Sequence, residues 1–97
     1  MHGHSYRLGV AISGPLKGTG PSRGMVEDFD VIKHIVREKV IEALDHRSLN
    51  DLIENPTCEE IALWIWERLD PALAGLDEIV LWETQSSCAI VRRSDFA

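Results

Sequence analysis

The chain begins Met1-His2-Gly3-His4-Ser5-Tyr6. In an extended strand alternate side chains share a face, so His2 and His4 point the same way. Two neutral imidazoles on one face make half of a tetrahedral zinc site. Only Met1 lies upstream of them, and a bare His-x-His also fits a polar strand end or a tag remnant. A second pair, Asp45-His46, falls at the end of a helical stretch. A carboxylate beside an imidazole can orient or charge it for proton transfer, although the same two residues also suit an ordinary polar helix terminus. Cys58 opens a helix, where the dipole lowers a thiol pKa, yet it also begins that helix's apolar stripe.

Glu83 is out of place in a different way. It continues the strand face of Ile79 and Leu81. A carboxylate in line with core residues costs on the order of several kcal/mol unless it is paired or hydrogen-bonded. A ligand edge with two parallel N–H donors would satisfy it in fork geometry. The aminopyrimidinone edge of a pterin or guanine has that shape. The other reading is a wet residue at a frayed strand end.

These groups need elements to hold them. Residues 4–13 alternate, with His4, Tyr6, Leu8, Val10 and Ile12 on one face, which predicts a half-buried strand. Residues 14–24 hold four glycines and two prolines and read as a loop. Asp28 can cap a helix whose stripe is Phe29, Ile32, Val36, Val40 and Ala43 or Leu44, with Ile35 and Ile41 flanking. His34 falls on its wet side. Residues 48–55 read as a connector anchored by Leu49 and by Leu52 or Ile53. Thr57 with Glu60 three residues later is a capping box. It starts a helix with the stripe Cys58, Ile61, Ala62, Ile65, Trp66 and Leu69, closed by Asp70-Pro71. Residues 78–84 predict a strand apolar on both faces, Ile79 and Leu81 against Val80 and Trp82. In so small a chain, this implies that one face meets another subunit. Gln85-Ser86 turns into a last strand over 87–93, with Cys88 assigned to the core. Strand, helix, helix, strand, strand is an α+β domain with its helices on one face of an antiparallel sheet.

The 97 residues suit one domain spanning 1–97, and an apolar content of 44% excludes a disordered chain. A net charge of −6 argues against a nucleic-acid partner. No apolar run approaches bilayer length and no basic-then-apolar leader precedes the fold, so neither a membrane nor export is expected. Two cysteines fit a reduced, cytoplasmic protein.

Five short motifs then occur in order. They are His2-Gly3-His4-Ser5-Tyr6, Gly24-Met25-Val26-x-Asp28-Phe29, Leu44-Asp45-His46-x-x-Leu49-Asn50, Pro56-Thr57-x-Glu59 and Trp82-Glu83-Thr84. Together they resemble the 6-pyruvoyl tetrahydropterin synthase and 6-carboxytetrahydropterin synthase family over nearly the whole chain. The resemblance implies the T-fold, a four-stranded antiparallel sheet with two helices on one side. It implies homo-oligomers, usually hexamers, assembled through their sheets, and a pterin pocket at a subunit interface. There Glu83 anchors the ring, and Thr57 and Glu59 line the site. An acid at Glu59 is also favoured by the helix dipole alone. In the family, zinc binds the substrate's side-chain hydroxyls and a cysteine thiolate moves protons with the help of the pair matching Asp45-His46.

Two family features do not match. The first zinc histidine belongs on a strand before His2, and the catalytic cysteine belongs a few residues before His-x-His. Neither is in this sequence, so the first family strand is read as absent. His2 and His4 alone leave zinc underliganded. Loss of the thiolate base typically costs about 10²–10⁴-fold in rate. The resemblance therefore implies a homologue that binds a pterin-like ligand and lacks the ordinary lyase activity, with Cys58 the one surrogate base to consider. The alternatives are an active zinc-dependent lyase acting on 7,8-dihydroneopterin triphosphate, its site completed by residues missing from this chain, and a non-catalytic structural or partner-binding subunit.

Overall fold

Alternation of period two places one side of three segments in the core, and these segments pair into a sheet. In the computed structural model, which describes residues 6–15, 27–45, 49–54 and 57–96, the strands are β1 (Arg7–Ile12), β2 (Leu76–Trp82) and β3 (Cys88–Arg92). They form an antiparallel sheet in the order β1-β2-β3. The cross-strand rows Leu8–Leu81–Ala89 and Val10–Ile79–Val91 lie on one face. Ile79, Leu81, Ala89 and Val91 in those rows are buried. The expected strands are present, but β2 begins and ends two residues earlier than the alternation suggested.

One expectation about β3 is reversed. Cys88 pairs with Trp82, out of phase with buried Ala89 and Val91, and is exposed. A one-residue change of phase exchanges faces in a strand. The register is therefore what removes Cys88 from the core.

Helix α4 (Cys58–Leu69) covers this face; α1 to α3 precede it in the chain. Thr57 caps it, its hydroxyl accepting the Glu60 backbone N–H at 3.2 Å. The predicted stripe is observed, with Ile61, Ala62, Ile65, Trp66 and Leu69 all buried. Asp28 caps the earlier helical arm as expected, accepting from the Asp30 N–H at 2.8 Å. That arm runs without a break through α1 (Phe29–Val36), a π turn (Arg37–Ile41) and α2 (Glu42–Asp45). It meets α4 through the π turn, where Val40 enters the core and the Arg68 guanidinium donates to the Lys39 carbonyl. Phe29, expected on the core stripe, is 72% exposed. The reason is reach: α1 has no buried residue, and the core begins a turn and more further on. His34 is on the wet side as expected and meets Glu38 at 3.1 Å. The predicted connector contains a helical turn, α3 (Leu49–Leu52), and Ile53 is its buried anchor.

The loop before β2 is fixed by one glycine. Gly75 has φ 81°, and a Cβ there would collide with the Ser13 carbonyl. Its own carbonyl accepts the Ser13 N–H at 2.8 Å, which closes the far end of the β1–β2 pair. Three antiparallel strands with two main helical segments make an α+β architecture compatible with the T-fold. The strand that the resemblance places before His2 lies outside the described residues. No helix among the described residues is long and apolar enough to cross a membrane.

Candidate functional site

The capping box at Thr57 fixes where α4 begins, and the docking of its first turn fixes what it meets. The Cys58 thiol donates to the Leu81 carbonyl at 3.5 Å. This ties the head of α4 to the end of β2, two residues before Glu83. The chain then turns, and the Glu83 and Thr84 N–H groups both donate to the Ser87 carbonyl, at 2.9 and 3.3 Å. The Thr84 hydroxyl accepts from the Ser86 and Ser87 N–H groups. Glu83 is thus held by a hairpin whose backbone bonds are satisfied locally. Its carboxylate is half-buried and has no hydrogen bond or ion pair among the described residues.

Tyr6 completes the group. Arg7 pairs with Trp82, so the next step outward puts Tyr6 opposite Glu83, on the face of Leu8 and Leu81. Directly opposed side chains in an antiparallel pair have Cβ atoms about 5 Å apart. Tyr6 is half-buried and packs against the core. Burial, and then the Glu83 charge, push its phenol above the ordinary value, with a further contribution from Cys58. In the sequence Tyr6 stands on the Leu8 face of the first strand and in the motif His2-Gly3-His4-Ser5-Tyr6, without a role of its own. The signal that could have found it is its phase with Leu8, counted back from the hairpin.

Electrostatics correct the expectation for Cys58. A helix start favours a thiolate, but burial and then the charges of Glu83 and Glu59 push this thiol above its ordinary value. The Ala89 backbone N–H, which favours the thiolate, is outweighed. A thiol that donates to a carbonyl beside two carboxylates is a poor proton acceptor near neutral pH.

The structure therefore brings Thr57, Cys58, Glu59, Glu83 and Tyr6 to one end of the molecule, where the head of α4 overlies the sheet. Thr57 and Glu59 are exposed there. His2, His4 and His46 lie outside the described residues, and of Asp45 only the backbone is described, as the last residue of α2. Among the described residues no three His, Cys, Asp or Glu side chains are grouped to hold a metal ion. A concavity lies on the opposite face of the sheet end. It is a cleft of about 460 Å³ lined by Arg7, Trp82, Thr84 and Gln85. By strand phase the Glu83 carboxylate projects away from this cleft, so its shape alone does not mark the group described above.

The family model described as 6-pyruvoyl tetrahydropterin synthase matches residues 1–94. The chain belongs to this family. A dihydroneopterin monophosphate aldolase of Pyrococcus furiosus is 43% identical over 86 residues, covering 86% of this chain and 70% of that protein. A 6-carboxy-5,6,7,8-tetrahydropterin synthase of Synechocystis is 44% identical over 93 residues, covering 92% and 72%. A 6-pyruvoyl tetrahydrobiopterin synthase of Dictyostelium discoideum is 36% identical over 97 residues, covering 94% and 70%. These relatives share pterin chemistry by name, but their names differ in the bond made or broken.

Proposed function

We propose that the chain binds a pterin-like molecule, with the Glu83 carboxylate accepting the paired N–H donors of the ring's aminopyrimidinone edge. The observation that carries this reading is a half-buried carboxylate with no partner among the described residues, fixed by the hairpin beside the head of α4. Burial of a carboxylate, even in part, is costly unless a donor meets it, and a bidentate ligand edge is the donor of matching geometry. Thr57 and Glu59 border the same end and complete the ring site. The choice of ring is supported by the names of the relatives, each of which carries a pterin.

For these 97 residues we propose ligand binding without the ordinary lyase turnover. The support is Cys58, at the head of α4, whose burial and whose neighbouring carboxylates Glu83 and Glu59 favour the protonated form. His2 and His4 are the proposed remnant of a zinc site, and Asp45 and His46 the remnant proton-transfer pair. The sheet's second face is proposed as the contact between copies, in a hexamer. There Val80 and Trp82 are half-buried and Ile90 is 42% exposed.

Titration with a dihydropterin tests the first proposal: saturable binding is expected in the parent chain, and binding unchanged in Glu83→Gln would overturn it. Metal analysis with a turnover assay on 7,8-dihydroneopterin triphosphate tests the second. About one tightly held zinc per subunit together with product formation would establish the active lyase instead. A monomeric mass by light scattering would remove the hexamer.

A further inference from the structure

The proposed edge contact leaves a second question, namely what the flat face of the ring would touch. Glu83 can grip only an edge, because a carboxylate accepts in its own plane. A planar heteroaromatic held at one edge over a sheet end needs an apolar surface beside it. The register supplies one candidate: the β1–β2 pairing ends at Arg7–Trp82, and one residue beyond it on each strand come Tyr6 and Glu83, near enough for the Glu83 charge to act on the phenol. The head of α4 bounds the space on the other side through Cys58, hydrogen-bonded to Leu81. Tyr6 is anchored by its packing against the core, so its ring is a fixed surface rather than a mobile one, and it remains only half-buried.

We propose that the Tyr6 ring is the stacking platform of the ligand site, the face of a planar pterin-like ring lying against it while Glu83 holds the ring's edge. This rests on the reading of Glu83 as the anchor. An aromatic platform adds affinity with little loss of side-chain entropy, because the ring is already ordered. It also predicts selectivity for flat rings that carry the paired-donor edge.

The chain contains one tyrosine, so labelling tyrosine with ¹³C marks this ring alone. Unsubstituted pterin is the probe, added to the full chain and to its Tyr6→Leu and Glu83→Gln variants. Upfield shifts of the labelled ring signals are expected on binding, with intermolecular contacts to pterin protons. About a tenfold loss of affinity is expected in Tyr6→Leu, the size typical of removing an aromatic stacking partner, and Tyr6→Phe should restore most of it. If pterin binds while the ring signals stay still, the platform is overturned and the Glu83 anchor stands. If the ring signals move equally in Glu83→Gln, the platform stands and the anchor falls. Absence of pterin binding to the parent chain overturns both. The same outcomes can be read even where Tyr6→Leu folds poorly, because the shifts are measured on the parent chain and Tyr6→Phe keeps the ring.

Discussion

The two ends of α4 are built for different purposes. At its C-terminal end the polar groups are paired with one another. The Arg93 guanidinium donates to the Asp70 carboxylate and to the Leu76 carbonyl, and lies 5.0 Å over the Trp66 ring. Phe96, in the short 3₁₀ turn after β3 (Arg93–Phe96), stacks on Trp66 at 5.4 Å. Asp95 closes the same turn by accepting the Arg92 N–H. At the N-terminal end the backbone is also capped, but the Glu83 carboxylate has no partner among the described residues, and the Cys58 and Tyr6 groups are pushed up by burial first and by its charge second. One end is closed by paired polar groups, and the other carries the carboxylate on which the proposed ligand site rests. This division is what makes the unpartnered carboxylate informative, since the same short helix shows how fully its polar neighbours can be paired.

The contrast can be broken or sharpened by substitution. The largest effect on stability is expected at the closed end, in the core beneath it. Leu69 is fully buried, and Leu69→Ala should cost about 2–5 kcal/mol through lost burial and the cavity left behind. Urea denaturation reads this, and a loss below about 1 kcal/mol would show that this end is not tightly packed. Arg93→Ala should lower the melting temperature by less than Leu69→Ala does, and should leave pterin affinity unchanged.

At the open end the ordering is reversed. Glu83→Gln should reduce pterin affinity about 100-fold, or roughly 2.7 kcal/mol, because a charged bidentate acceptor is replaced by an amide that presents one acceptor and one donor. The melting temperature should hardly fall. A large loss of stability with intact binding would make Glu83 a structural residue and erase the distinction between the two ends. Thr57→Ala comes next, at about 1 kcal/mol of stability from the lost cap, measured by the same denaturation.

The smallest effect is kinetic. The raised Cys58 thiol should react with iodoacetamide slowly near neutral pH, with a rate that keeps climbing beyond the ordinary thiol range. The sign follows from charge: a nearby carboxylate disfavours the thiolate, so removing it in Glu83→Gln should lower the Cys58 pKa and speed its alkylation at pH 8. An unchanged rate profile, resolved for Cys58 by peptide mapping, would separate Cys58 from Glu83.

Much of this was legible in the residue pattern because it is local. The Asp28 and Thr57 caps each depend on a few consecutive residues, and both hydrogen bonds are present. The α4 stripe follows from helical spacing, and the burial of Ile79 and Leu81 follows from strand alternation. What the pattern misjudged was non-local. Phe29 has the right spacing for the arm's stripe, but spacing does not say where along a helix its partner begins. Cys88 could belong to either face until the pairing with Trp82 set the phase.

The sequence by itself determined the three strands, the two main helical segments, their caps and the family, because those are carried by neighbouring residues and by short motifs in order. Only the tertiary structure decided which groups share an environment. Tyr6, Cys58 and Glu83 are distant in the chain and belong to three different segments. Strand register and the docking of α4 bring them together, and burial beside a carboxylate then turns a thiol that the helix start would activate into one held protonated.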